Sequence, residues 1–158
     1  MRSVMPKNIF QKWLDEGMRD ATTLGSIFFS MLLVVLFYLV GYSALANSIL
    51  LGIILIHIIV IAVRSVYFKK RPEALSYTTW LEKIEANSFP SVHTARIFVL
   101  VTLLTHPYTD YMMTIILFLF AVCIAYTRIY LKKHYWSDVF AGAVLGVILG
   151  GVLASFFL

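Results

Sequence analysis

Apolar residues run through this chain in long stretches broken by short polar interruptions, a pattern that fits neither alternating strands nor half-buried surface helices. A hydrocarbon core of about 30 Å needs about 20 helical residues. Five segments of about that size follow one another: Thr22 to Ala46, Ser48 to Phe68, Pro90 to Thr105, Tyr111 to Arg128 and Asp138 to Leu158. They predict an all-α fold, a multi-pass transmembrane bundle of about five membrane helices. Ahead of them, Phe10, Trp13, Leu14, Gly17 and Met18 recur at helical spacing, with Lys12, Asp15, Glu16 and Arg19 on the other face. This predicts an amphipathic helix lying in the membrane interface. The chain therefore reads as one domain over residues 1–158, with 1–21 interfacial and 22–158 forming the membrane core.

Asn47 is expected to turn the chain between the first two spans, and His106 to Asp110, with Pro107, between the third and fourth. Counting crossings puts the N-terminus, the second-to-third connection and the fourth-to-fifth connection on one membrane face. In the last span Asp138, Gly142, Gly146 and Gly150 fall four apart. That stripe is expected to face the bundle interior, where glycines let helices approach closely.

Composition agrees with this picture: 61% of the 158 residues are hydrophobic and the mean hydropathy is +0.88. The single cysteine, Cys123, excludes an internal disulfide and a multi-cysteine metal site. The net charge of +5 resides in Lys and Arg clustered between apolar runs, where anionic headgroups or a phosphate would meet them. No soluble basic face is left for nucleic acid, and no feature specifies an oligomeric state.

Charged side chains in membrane helices are costly and call for a reason. Arg64 closes the second span, and Arg71 follows seven residues later, two turns on if the helix continues. Pro90, Ser91, Val92 and His93 open the third span, with the proline suited to a first helical turn and the next amides free to point at an anion. Thr127, Arg128, His134 and Asp138 straddle the fourth-to-fifth connection. All of these lie on the same face. Guanidiniums match phosphate oxygens and keep their charge when desolvated. His134 and Asp138, one helical turn apart, could pair so that the carboxylate holds one imidazole nitrogen and leaves the other free to attack, with His93 protonating the departing oxygen. Each residue alone has a plainer reading as an interface anchor or a structural polar group; the cluster on one face points to phosphate chemistry.

The same residues resemble the signature of the type 2 phosphatidic acid phosphatase (PAP2) family, whose site is shared with vanadium haloperoxidases. Arg64, six residues, Arg71-Pro72 stands for the first part, with Arg64 where the family has lysine. Pro90-Ser91-Val92-His93 stands for the second, with Val92 in place of glycine. Thr127-Arg128, His134 and Asp138 stand for the third, with Thr127 in place of serine. The resemblance implies a phosphohistidine intermediate, no metal and no cofactor. It assigns His134 as nucleophile, Asp138 as its orienter, and His93 as general acid and later activator of water. Arg64, Arg71, Ser91 and Arg128, with the amides of Val92 and His93, would hold the phosphate. A valine cannot comfortably take the positive φ open to glycine, so the turn at Val92 is expected to use ordinary helical or extended angles.

The expected partners are membrane lipids and a lipid phosphate substrate: phosphatidic acid, phosphatidylglycerophosphate, lipid A phosphate or an isoprenoid diphosphate. A lipid phosphotransferase using the same histidine and a non-catalytic lipid-binding or transport protein are the alternatives. Arg96, three residues after His93, could reach a second anionic group or enter a buried ion pair with a carboxylate of the 73–87 loop. Lys133 is a further candidate substrate contact. Tyr77, Trp80 and Leu81 could form a second interfacial segment, and His57 is expected to serve as a structural hydrogen-bonding group. The loop charges would put the site in the cytoplasm by the positive-inside rule. The resemblance, to a family whose bacterial members usually act on the outer face of the inner membrane, points to the non-cytoplasmic side.

Overall fold

The computed structural model describes residues 8–73, 75–106 and 110–158. Seven helices follow in order among them: α1 (Ile9–Thr23), α2 (Ile27–Leu39), α3 (Ser43–Val66), α4 (Trp80–Ala86), α5 (Val92–Thr105), α6 (Tyr111–Tyr130) and α7 (Trp136–Phe157). The fold is a multi-pass helical bundle. Three helices, α3, α6 and α7, are long and apolar enough to cross a membrane unaided, and α1 with α2 qualifies as a pair bent by 48°. The expected third crossing, α5, is a shorter apolar helix of 14 residues.

The predicted first span is corrected at both ends. Residues from Thr22 to Ala46 are not one helix: α1 runs on to Thr23, Ser26 caps α2 by accepting from the Phe29 amide at 3.2 Å, and α2 stops at Leu39. Gly41, at φ 86°, turns the chain, a left-handed conformation that glycine adopts without a Cβ clash. Asn47 is therefore not the breaker. It lies inside α3, where its side-chain oxygen accepts from the Tyr38 hydroxyl and ties α2 to α3. The Pro107 turn lies outside the described residues, although α5 ends and α6 begins on either side of it.

Two further corrections concern the loops. The second span does not continue to Arg71: α3 ends at Val66, Tyr67 is extended, and Lys70 bridges to Asn87. Pro90 precedes α5 rather than entering its first turn. Its bond to Phe89 is cis, Ser91 is the cap, and Val92 is the first helical residue, without positive φ. Within the 73–87 loop, α4 is a short helix with a Thr79–Glu82 capping box, and it leaves Trp80 and Leu81 exposed.

At the centre stands α5, with ten of its 14 residues buried. Protein encloses it, so it need not be long enough to meet lipid along its length. Its main neighbour is α7, and the glycine stripe shows why. A Cβ on Gly142 would stand 2.6 Å from the Ser91 carbonyl oxygen, one on Gly146 2.5 Å from that of Ala95, and one on Gly150 2.7 Å from the Thr102 Cβ. This approach sets the first turn of α5 against that of α7, and the Ser91 amide donates to the Asp138 carbonyl at 3.0 Å. His57 bonds within its own helix, Nδ1 lying 2.7 Å from the Ile53 carbonyl oxygen.

Candidate active site

Helix ends α3, α5, α6 and α7 meet at one end of the bundle with the 67–91 and 131–135 connections. The second connection is tight. Lys132 takes a left-handed φ of 54°, and the amides of Lys133 and His134 both donate to the Arg128 carbonyl, at 3.0 and 3.2 Å. That turn places His134, 3% exposed, beside the end of α6.

The His134 Nδ1 lies 2.7 Å from the Ser88 carbonyl oxygen, while the nearer Asp138 oxygen stands 3.9 Å away. A carbonyl can only accept, so the ring carries its proton on Nδ1 and keeps a lone pair on Nε2. Burial first, and then the positive charges of Arg128 and Arg71, hold His134 below the ordinary imidazole pKa. Asp138 and the Ser88 carbonyl pull the other way.

Asp138 is fully buried, and other groups occupy its oxygens. Oδ1 pairs with the Lys69 ammonium; Oδ2 accepts from the Ser88 hydroxyl and, at 2.8 Å, from the Tyr135 amide. The expected direct carboxylate–imidazole pair is thus replaced by an indirect one, in which Asp138 fixes Ser88 and Ser88 fixes His134. Lys69 also donates to Ser137 at 2.7 Å and lies over the Tyr135 ring at 4.7 Å.

The guanidiniums gather around this pair. Arg64 donates to the carbonyls of Ile84 and Pro90, at 3.2 and 2.9 Å, and lies close enough to Arg71 and Asp138 for their charges to act on it. Arg71 donates to the Glu85 carbonyl, and Arg128 to the Thr22 hydroxyl at 2.8 Å. The charges of Arg128, Arg96 and Arg71 all act on His93. Among the described residues, the buried Nε of Arg64, Arg71, Arg96 and Arg128 each lacks a hydrogen-bond partner. Four orphaned donors on four cations suit an oxyanion, because a buried charged donor without an acceptor is costly. No three His, Cys, Asp or Glu side chains among the described residues are grouped to hold a metal ion.

A family model now decides the membership: that of the PAP2 superfamily matches residues 41–158, three quarters of the chain and every residue of this cluster except Thr22. The chain belongs to the PAP2 superfamily. Two solved structures agree with a membrane PAP2 fold. Aquifex aeolicus LpxE superposes with a TM-score of 0.75 at 28% identity, over 94% of this chain and 88% of that one. The first transmembrane PAP2 type phosphatidylglycerolphosphate phosphatase, from Bacillus subtilis, superposes with a TM-score of 0.72 over 97% of this chain and 79% of that one; at 22% identity it shows the fold. No curated protein matches the chain significantly.

Within this PAP2 frame the structure brings together Arg64, Arg71, Arg128, His93, His134 and Asp138. Ser91 is buried beside them, but its Oγ first caps α5, accepting from the Thr94 amide at 3.4 Å and from the Thr94 hydroxyl at 3.0 Å, which leaves its own hydrogen to donate. Lys133 turns to Glu73 at 2.8 Å. Arg96 finds no carboxylate of the 73–87 loop among the described residues; it approaches His93 instead.

Lys69, Asn87, Ser88 and Thr22 were not legible as site residues. Asn87 spends its whole amide on the loop: its oxygen accepts from the amides of Lys69 and Phe89, at 3.2 and 3.1 Å, and its nitrogen donates to the carbonyls of Arg64 and Tyr67. The only sequence hint was a polar Asn-Ser pair directly before the Phe-Pro-Ser segment.

Proposed function

We propose that this integral membrane PAP2 protein hydrolyses a lipid phosphate through a covalent phosphohistidine on His134. The carrying observation is the 2.7 Å contact of His134 Nδ1 with the Ser88 carbonyl, which leaves Nε2 as a neutral nucleophile amid cationic donors. Arg64, Arg71 and Arg128, with Ser91 and the first amides of α5, would hold the phosphoryl oxygens and stabilise the charge that develops in transfer. His93 would direct its Nε2–H at the departing oxygen. The chemistry needs no metal, because the arginines supply the positive charge.

A lipid substrate is supported by the setting. Next to Arg128, Thr127 lines an apolar groove of about 720 Å³ between α1, α6 and α7, walled by Trp13, Met18, Trp136 and Phe140. We place the site on the non-cytoplasmic face, so that a reporter fused at Leu158 would be cytoplasmic.

The direct test is a trapping experiment with radiolabelled lipid phosphate. An acid-labile, alkali-stable phosphoprotein is expected from the wild type and none from His134→Ala, with turnover falling by about a thousandfold or more. A His134→Ala variant of undiminished turnover would overturn the reading.

A further inference from the structure

Arg96 stands on α5 one turn beyond His93, is 6% exposed, and lies outside the PAP2 signature. Its Nη2 is 3.3 Å from His93 Nδ1, its buried Nε has no partner, and no carboxylate among the described residues offsets its charge. The other cations are better provided for. Arg64 has two carbonyls, Arg71 a carbonyl and the nearby charge of Glu85, Arg128 a hydroxyl, and Lys69 the Asp138 carboxylate. Arg96 thus carries a buried charge that an incoming anion would balance.

Its contact with His93 has a chemical consequence. A guanidinium only donates, so His93 Nδ1 must accept, and the ring's one hydrogen sits on Nε2. Such a neutral imidazole gives a hydrogen bond readily but surrenders its last proton poorly. An alkoxide leaving a phosphate monoester requires that proton. A phosphate leaving a diphosphate does not: it departs as a stable anion and benefits instead from a fixed positive charge. Arg96 provides such a charge next to His93, the group on the leaving side, and its field also reaches Arg128 in the phosphoryl pocket.

We infer that Arg96 binds the second phosphate of the substrate, which makes the preferred class a lipid diphosphate. The inference rests on the reading of His134 as nucleophile. In the first step His134 Nε2 forms a P–N bond to the terminal phosphorus as the bridging P–O bond breaks. The bonding pair goes to the bridging oxygen, which leaves on the lipid monophosphate, paired with Arg96 and hydrogen-bonded by His93. In the second step water forms a P–O bond, the P–N pair returns to Nε2, and both water hydrogens leave on inorganic phosphate, one passing to solvent at neutral pH. A diphosphate ester carries more negative charge than a monoester, as a cluster of four guanidiniums would favour.

Farnesyl diphosphate and farnesyl phosphate share one tail and isolate the second phosphate. With full-length protein in detergent, the wild type is expected to favour the diphosphate in kcat/KM. Arg96→Gln and Arg96→Met should each reduce that ratio by about tenfold to a hundredfold, the worth of one charged hydrogen bond. Calorimetry with methylenediphosphonate and methylphosphonate reads the subsite without turnover: the wild type should bind the diphosphonate more tightly, and both variants should lose the difference. A wild type that prefers farnesyl phosphate, or ratios and binding differences that survive both substitutions, would overturn the assignment of Arg96. Loss of the diphosphonate preference in variants of a protein that hydrolyses neither lipid would uphold the subsite and sink only the hydrolase reading.

Discussion

The Nδ1 of His134 faces the main-chain oxygen of Ser88 at 2.7 Å, and the nearer Asp138 oxygen lies beyond hydrogen-bonding range at 3.9 Å. Asp138 therefore orients the proposed nucleophile at second hand, by holding the Ser88 hydroxyl and the Tyr135 amide, while its other oxygen is bound to Lys69.

Lys69→Met leaves a fully buried carboxylate without its cation. The Lys69 side chain is 26% exposed, which lets water soften the loss, so the expected destabilisation is about 2 kcal/mol, below that of a wholly buried pair. Lys69→Met with Asp138→Asn should be more stable than the sum of the single changes predicts. Thermal unfolding of the four proteins in detergent measures this coupling; strict additivity would show that the pair contributes nothing. Because Lys69 acts through Asp138, kcat should fall while KM changes little.

Held below its ordinary value of 6.5, chiefly by burial, His134 should remain neutral into mildly acidic solution. The acid limb of kcat/KM is then expected below pH 6.5. Removing one positive charge with Arg71→Gln should move that limb upward. The sign for stability follows from linkage: between the two values only the unfolded chain binds this proton, so the His134 contribution to stability is lost as pH falls below 6.5. A pH–rate profile of both proteins checks the direction, and a limb moving downward in Arg71→Gln would contradict it.

Gly146 and Gly151 separate packing from propensity. A methyl on Gly146 would stand 2.5 Å from the Ala95 carbonyl oxygen and 2.6 Å from the Phe98 Cβ, neither the tip of a flexible chain, whereas nothing lies within 4 Å of one on Gly151. Gly146→Ala should push α7 from α5, cost about 1–3 kcal/mol, and reduce turnover by moving Asp138 away from Ser91. Gly151→Ala should be neutral or stabilising by up to about 1 kcal/mol. Unfolding midpoints of equal size and sign would defeat the packing account.

Turnover is expected to persist in excess chelator and to be inhibited by vanadate, which adopts the geometry of the phosphoryl group in transfer. Activity restored only by added divalent metal would remove the arginines from the role assigned to them.

Hydropathy was enough to place α3, α6 and α7, because a run of apolar side chains as long as a bilayer has few other solutions. Spacing was enough to nominate Arg64, Arg71, Ser91, His93, Arg128, His134 and Asp138 as one cluster. The turn between α2 and α3 was hidden, since both sides of it are apolar and Gly41 acts only through local backbone geometry. Lys69, Asn87 and Ser88 were hidden for another reason: their contacts join a loop to residues far along the chain, and no local periodicity records such a meeting.

Residue order alone thus determined that the protein lives in a membrane and which charged side chains gather at one end of the bundle, since helix length and helical spacing are properties of a single segment. Tertiary structure alone decided that Ser88 rather than Asp138 hydrogen-bonds His134, that Lys69 takes the carboxylate, and that Arg96 is buried against His93 with no counter-charge among the described residues. Those facts depend on how closely α5 and α7 approach and on where the loops between helices come to rest, which is set by packing among distant segments.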